Sequence, residues 1–261
     1  MENNTALARF ITSLGSLNNY GSTVLQTKQA LDAGTTAPLR QNADDIAIFS
    51  DALKGIAAIK AVGFSTAGII AINKQFDSPS AEQPRMPGHL RNSYYNEDDR
   101  IAIILGQNHR QSYIPPEVVT AADIDGIVGR FNNSGRTERD AWRVFADLAA
   151  LQPFQDGNKR TALIAANAAA GTLASGNYLV LPFNDLDRAD FTIALMRYYV
   201  ANNAEEKSTA FERMMRLLPS PEDRQSQLNE VPPAEGTETI NAPTRRYKRQ
   251  FKGGVNSANR D

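Results

Sequence analysis

Residues 151–161 read Leu151-Gln152-Pro153-Phe154-Gln155-Asp156-Gly157-Asn158-Lys159-Arg160-Thr161. Upstream, residues 137–151 place Trp142 and Phe145 at helical spacing. Downstream, residues 159–174 are rich in alanine and leucine, which favour helices. One proline, one glycine and several polar residues separate these two segments. The pattern predicts a loop that leads into the N-terminus of a helix.

The residue types of this loop suit an anion. A helix N-terminus offers free backbone N–H groups and a partial positive charge. Gly157 lets the backbone approach a ligand closely, and Asn158 can cap the helix. Lys159 and Arg160 add positive charge, and Asp156 is a hard oxygen ligand for Mg²⁺ beside phosphates. These features predict a cradle for nucleotide phosphates; the alternative is a solvated loop before an ordinary charged helix start.

Residues 152–161 resemble the signature loop of the Fic/Doc (Fido) family. That signature reads His, any residue, Phe, any residue, Asp or Glu, Gly, Asn, Gly or Lys, Arg. Every position matches except the first, where Gln152 replaces the histidine. The resemblance implies a mostly α-helical Fic fold with a small β-hairpin flap. It also implies transfer of part of a nucleotide, most often AMP from ATP with Mg²⁺, to a hydroxyl of a protein target.

The resemblance assigns a role to each loop residue. Asp156 and Arg160 would take part in catalysis, with Asp156 as the metal ligand. The nucleotide would be bound by Phe154, Gly157, Asn158, Lys159, Arg160 and Thr161. Leu163 stands where many Fic enzymes carry a second arginine, although Doc-like kinases also lack that arginine.

Gln152 raises the question of activity. The family's histidine takes a proton from the target hydroxyl, which then attacks a phosphate. A glutamine amide has no titratable nitrogen near neutral pH. General-base catalysis typically contributes roughly 10²–10⁴ in rate. The sequence therefore predicts a phosphate-binding loop that lacks its general base.

Composition excludes several classes of function. The chain has 261 residues, 41% of them hydrophobic, a net charge of −1 and no cysteine. Disulfides, thiolate metal sites and a cysteine nucleophile are excluded, and no whole-protein attraction to nucleic acid is expected. No stretch is apolar for long enough to span a bilayer, and the N-terminus does not look like a secretory signal. We expect no membrane partner and a cytoplasmic location, or delivery into a target cell or assembly.

The remaining pattern predicts helices on both sides of this region. Helical spacing is found at residues 6–14, 22–34, 39–59, 65–76, 120–131, 186–200 and 206–218. Ser16, Tyr20 and Gly21 have the spacing of the family's inhibitory motif, but Tyr20 stands where the inhibitory glutamate would be. The alternatives are a simple turn between helices and a second weak match at residues 208–212.

A β-hairpin flap is predicted from residues 90–94 and 100–105, with a turn through residues 96–99. In the family, the flap binds the backbone of the target by strand addition. His89, Leu90 and Arg91 resemble the segment just before the flap, and we expect them to contact the target. His89 and His109 are the only histidines.

The C-terminal residues change in character. Residues 219–261 are rich in Pro, Gln, Ser, Glu and Asn, which is typical of a disordered tail. Within them, residues 245–252 form a basic cluster that could bind nucleic acid or an acidic partner, or simply aid solubility. We therefore divide the chain into an N-terminal helical extension (1–64), a Fic domain (65–218) and a flexible tail (219–261).

Three functions fit these observations. The first is a degenerate Fic protein that binds a nucleotide or a protein partner without efficient transfer. The second is an active AMP-transferase or Doc-type kinase, since phosphoryl transfer depends heavily on positioning. The third is a structural component of a larger assembly.

Overall fold

The structure, a computed structural model, describes residues 4–18, 20–81, 83–105 and 111–232. Its helices are α1 (Thr5–Gly15), α2 (Val24–Ala33), α3 (Ala43–Val62), α4 (Thr66–Asn73), α5 (Ala121–Asn132), α6 (Glu138–Leu151), α7 (Asn158–Ala169), α8 (Thr172–Ser175), α9 (Asp185–Tyr199), α10 (Ala204–Leu217) and α11 (Pro221–Asn229). A 3-10 helix, Glu97–Asp99, precedes the strands β1 (Ile103–Leu105) and β2 (Gln111–Tyr113). The predicted helical fold with one small hairpin is confirmed.

The two helices that flank the loop lie in the core. α6 and α7 pack against each other; α1, α3 and α4 pack on α7, and α5, α9 and α10 pack on α6. Trp142 and Phe145 of α6 contact edge to face at 5.6 Å between ring centroids, and Trp142 also meets Phe191 of α9. Because both flanking helices are packed, the loop between them is held at its two ends.

Local signals set the bounds of these two helices. Thr137 accepts a hydrogen bond from the Asp140 backbone, and the Asp140 carboxylate accepts one from the Thr137 backbone, which fixes the start of α6. α7 ends at Ala169, short of the predicted residue 174. Gly171 follows with φ of 71°, a left-handed conformation that ends a helix at little cost.

The predicted first strand of the flap is wrong. β1 pairs antiparallel with β2, with Ile103 opposite Tyr113 and Leu105 opposite Gln111. Residues 90–94 instead pair with two other segments: the Arg91 N–H donates to the Pro153 carbonyl at 3.0 Å, and the Val119 N–H donates to the Arg91 carbonyl at 2.9 Å. The predicted turn contains the 3-10 helix. His109 lies outside the described residues.

The prediction of a flexible tail from residue 219 is wrong for its first part, where α11 packs on α1. Ser220 caps α11, and Pro221 at its first turn suits a helix start. Leu228 is buried, and the Arg224 guanidinium forms two hydrogen bonds with the Glu138 carboxylate. Composition did not reveal α11, because one leucine and one arginine provide most of its buried contact. The basic cluster at residues 245–252 lies outside the described residues.

Candidate functional site

Gln152 ends α6 in a left-handed conformation, with φ of 49°. Its backbone N–H donates to the Leu148 carbonyl at 3.1 Å. Its side-chain Nε2 donates to the Ala149 carbonyl at 2.6 Å, and the residue is buried. The side chain at the position of the expected general base is therefore tied to the last turn of its own helix.

Asn158 closes the loop. Its Oδ1 accepts from the Phe154 N–H and its Nδ2 donates to the Phe154 carbonyl, both at 2.8 Å. Phe154 is fully buried in the core. We predicted Asn158 as the helix cap, but Gly157 is the residue at that position. The Asn158 side chain instead fixes the loop by bridging four residues back.

α4 fixes the other side of the loop. The Asn73 side chain donates to the Asp156 carbonyl at 2.9 Å and lies 3.4 Å from the Thr161 hydroxyl. Gly157 has φ of 74°, and a Cβ there would lie 2.5 Å from the Phe76 ring. Only glycine fits this backbone at this distance from the ring.

Arg91 is a buried side chain that hydrogen-bonds the backbone at the start of the loop. It is 1% exposed, and its guanidinium donates to the carbonyls of Gln152 at 2.5 Å, Asp99 at 2.8 Å and Pro116 at 2.9 Å. We expected Arg91 to contact a target at the surface. The structure places it inside, where it joins the loop, the 3-10 helix and the segment before α5.

A buried carboxylate, Asp99, lies beside Arg91. It accepts hydrogen bonds from Gln155 Nε2 at 2.8 Å and from the Asn92 backbone at 2.6 Å, and it lies 2.9 Å from His89 Nε2. Burial raises the pKa of Asp99, but these hydrogen bonds outweigh it and the net pKa is lowered. Leu90 packs against the core. His89 is thus oriented by a carboxylate that also holds the loop.

Arg160 lies away from the loop surface. It is 1% exposed, and its guanidinium lies over the Phe76 ring at 4.8 Å. It is 3.4 Å from the Gln83 side-chain oxygen, and Gln83 in turn donates to the buried carboxylate of Asp51 at 2.7 Å. We expected Arg160 to face the loop, whereas here it is part of the core. Leu163, one turn further on, is also fully buried.

A cleft of about 190 Å³ remains beside the N-terminus of α7. Asn18, Asp156, Gly157 and Lys159 are among its lining residues. The Lys159 ammonium donates to the Leu17 carbonyl at 3.2 Å, so the connection after α1 lies over the cleft. The Asp156 carboxylate accepts from the Gly157 N–H at the start of α7.

The inhibitory-motif match lies next to this cleft without reproducing its contact. The Tyr20 hydroxyl lies 2.8 Å from the Thr27 hydroxyl, and burial raises the pKa of Tyr20 to about 12. The Gly21 N–H donates to the buried Asp45 carboxylate, and the Ser16 hydroxyl donates to a carbonyl of α1. Position 19 lies outside the described residues. Tyr20 therefore contacts α2 and does not contact an arginine of the loop. The second match, in α10, pairs Glu212 with Arg139.

Sequence reasoning missed Asn73, Asp99 and the Leu17 carbonyl. Asn73 is fully buried at the end of an isoleucine-rich helix, and a polar residue on an apolar face indicates a hydrogen-bonding role. That signal was available in the sequence. No such signal marks Asp99 or Leu17, because their contacts depend on the packing of distant segments.

The acidic residues at this cleft are few. Across the described ranges, no group of three or more His, Cys, Asp or Glu side chains is placed to hold a metal ion. Asp156 stands as a single carboxylate at the cleft. None of the helices in these ranges has the length and apolar character needed to cross a bilayer.

Comparisons with known proteins agree with this fold. Residues 64–170 match the model of the Fic/DOC family. A crystal structure of a Fic domain containing signaling protein from Bacteroides thetaiotaomicron is similar, with a TM-score of 0.55 and 16% identity over 87% of this chain and 86% of that chain. None of the curated proteins compared with the chain matches it. Residues 64–170 therefore form a domain of the Fic/DOC family, as the loop sequence predicted.

Proposed function

We propose that the cleft beside α7 binds a phosphate-bearing ligand and that the protein acts through this binding, or through a protein partner, without efficient transfer. The proposed lack of efficient transfer rests on Gln152. Its amide has no titratable nitrogen near neutral pH, and its Nε2 is already bonded to the Ala149 carbonyl. No group at this position accepts a proton from a hydroxyl.

The residues of the cleft suit a phosphate group. Lys159 supplies a positive charge and α7 supplies the electropositive end of a helix. With a nucleotide bound, Asp156 would be the ligand for Mg²⁺, which often takes one or two carboxylates together with phosphate oxygens. Mg²⁺ would neutralise phosphate charge in such a complex.

The size of the cleft limits what enters without rearrangement. Sites for complete small molecules typically measure about 300–1,000 Å³, whereas this cleft measures about 190 Å³. A phosphate group fits this space. A complete nucleotide requires Leu17 and Asn18 to move, and breaking the contact between Lys159 and the Leu17 carbonyl would accompany that movement.

Isothermal titration calorimetry tests the binding step. We expect heat of binding with pyrophosphate or with ATP and Mg²⁺, and weaker binding by Lys159→Met, which keeps the length of the side chain but removes its charge. Lys60→Met is the matched control, since Lys60 is exposed at the end of α3. Equal loss in both variants, or no heat at millimolar ligand, would contradict the proposal and favour a structural role.

Restoring the base tests the absence of transfer. Gln152→His should label the protein or a partner with AMP or phosphate at least about 10²-fold faster than the parent. Histidine adopts the left-handed conformation more often than most residues, so the variant should fold. Its melting temperature is checked first. If the parent is as active as the variant, glutamine at position 152 does not limit transfer and the proposed lack of transfer is wrong.

A further inference from the structure

A second and larger cavity lies between α5, α6, α9 and α10. It measures about 610 Å³, which is within the usual range of sites for small molecules. None of its lining residues lines the cleft at the loop. Ile127, Phe131 and Val144 are among them, and all three are buried. These three side chains form an apolar part of the cavity wall that suits the carbon skeleton of a ligand, beside the charged residues that line the rest.

The two carboxylates of the cavity are already engaged. Asp147 accepts a hydrogen bond from the Tyr198 hydroxyl at 2.5 Å and pairs with Arg130 at 3.0 Å and Lys207 at 3.2 Å. Asp140, in the first turn of α6, accepts hydrogen bonds from the backbone and the hydroxyl of the capping residue Thr137. Neither carboxylate is left to balance a further cation.

Arg143 is that further cation. Its guanidinium lies 3.7 Å from the centroid of the Phe211 ring, and in the part of the chain that the structure describes it hydrogen-bonds the Tyr198 hydroxyl alone, at 3.5 Å. Within the described ranges Arg143 forms no ion pair; the Glu212 carboxylate interacts with its charge but is paired with Arg139. Stacking on the ring fixes the guanidinium plane and leaves N–H groups at its edge, the geometry that binds a carboxylate with two parallel hydrogen bonds.

We propose that this cavity binds a small organic anion with an apolar body, and that Arg143 holds its carboxylate. The charge balance supports an anion, since three cationic side chains (Arg130, Arg143, Lys207) face two carboxylates (Asp140, Asp147) that are already bonded. The buried apolar walls support a ligand with a hydrocarbon portion rather than a bare ion.

Benzoate and benzamide are suitable probes, because they share a shape and differ in charge. Titration followed by two-dimensional NMR of ¹⁵N-labelled protein should show benzoate shifting the amides of α5 and α6 around the cavity. Benzamide should bind at least about 10-fold more weakly, the effect expected for loss of a charged hydrogen bond. Arg143→Gln should remove this preference for benzoate.

The double variant Arg139→Gln, Glu212→Gln is the matched control, because removing Arg139 alone would leave the Glu212 carboxylate to pair with Arg143. Arg139 also lies over Phe211, at 5.2 Å, but it pairs with Glu212 and does not line the cavity. This variant and Lys159→Met should bind benzoate as the parent does, which separates this site from the cleft at the loop. If Arg143→Gln fails to fold, Arg143→Lys replaces it and should bind more weakly than the parent. Benzoate shifts that lie elsewhere, that are absent, or that survive both Arg143 substitutions would overturn the proposal.

Discussion

Arg91 shows how a buried charged residue can stabilise a loop through backbone carbonyls. It is buried, and its guanidinium donates to carbonyls of three separate segments. Burial lowers the pKa of Arg91, and Asp99 partly compensates for this. The arginine stabilises backbone groups that would otherwise lack a donor, and among them is the carbonyl of Gln152.

Arg91→Ala should destabilise the protein strongly. Each buried carbonyl left without a donor costs about 1–3 kcal/mol, so the free energy of unfolding should fall by roughly 3 kcal/mol or more. Urea denaturation measures this loss. Arg100→Ala is the control, because Arg100 is exposed and an exposed substitution usually changes stability by less than about 0.5 kcal/mol. Similar losses in the two variants would mean that the buried hydrogen bonds of Arg91 contribute little.

Asp147 should make stability depend on pH. Burial raises its pKa, but Tyr198, Lys207 and Arg130 stabilise the carboxylate and the net pKa is lowered. A lowered folded pKa gives stability above the unfolded value of about 3.9, and this stability is lost as the pH falls through the folded pKa. Asp147→Asn should therefore lower the melting temperature clearly near pH 7 and much less near pH 3. Asp190→Asn, at an exposed position of α9, serves as control. A difference that grows toward acid pH would contradict this account.

Residue identity predicted the location of the loop, but not what holds the loop. The signature at residues 152–160 is a local pattern and can be read directly. Asn73 contacts Asp156 across 83 positions and Gln155 contacts Asp99 across 56. Contacts at such separations depend on how the helices pack, and no spacing rule contains them.

At the scale of elements, short segments were predicted less well than long ones. The run from Ile101 to Leu105 correctly indicated β1. β2 reads Gln-Ser-Tyr and has no apolar run, so its sequence gave no strand signal. Residues 90–94 read Leu-Arg-Asn-Ser-Tyr and carry no clear strand signal. Their strand was predicted from the resemblance to the segment before the family's flap, and Arg91 instead donates to buried carbonyls. α11 was missed because its stability comes from contacts with α1 and Glu138 rather than from an apolar face.

α11 should contribute measurably to stability. A chain that ends after Leu218 loses the buried Leu228 and the pairing of Arg224 with Glu138, so its melting temperature should fall by several degrees. A chain that ends after Pro232 keeps both contacts and is the control. Leu228→Ala in the complete chain should cost about 2 kcal/mol, at the low end for a buried leucine. Equal melting temperatures for the two shortened chains would show that α11 packs too weakly to matter.

At the scale of the whole molecule, the segments before and after the loop share one core. The Phe10 ring stacks on Tyr178 at 4.8 Å, and the Leu181 N–H donates to the Ser13 hydroxyl at 2.8 Å. α1 and α3 also pack on α7. The helices before residue 65 thus cover apolar surface of the segment that carries the loop.

A fragment of residues 65–218 should therefore fold poorly alone. Removing α1 and α3 exposes the apolar face of α7. Because folded proteins are only marginally stable, the fragment has little stability left to offset the lost burial. We expect a broad thermal transition and stronger binding of a hydrophobic dye than in the complete chain. Adding residues 1–64 as a separate peptide should restore part of the stability. A sharp transition in the fragment alone would show that it is an independent folding unit.

The close approach of Phe76 to Gly157 has a consequence for how such sequences diverge. Any side chain at position 157 collides with the ring, and Phe154 and Asn158 are equally bound into the core. Mutations at these positions would be eliminated by their cost to folding, even in a lineage that had abandoned catalysis. Much of the signature can thus persist because packing alone requires these residues. Asp156 and Lys159 are only partly buried, so packing constrains these two positions less than it constrains Phe154, Gly157 and Asn158.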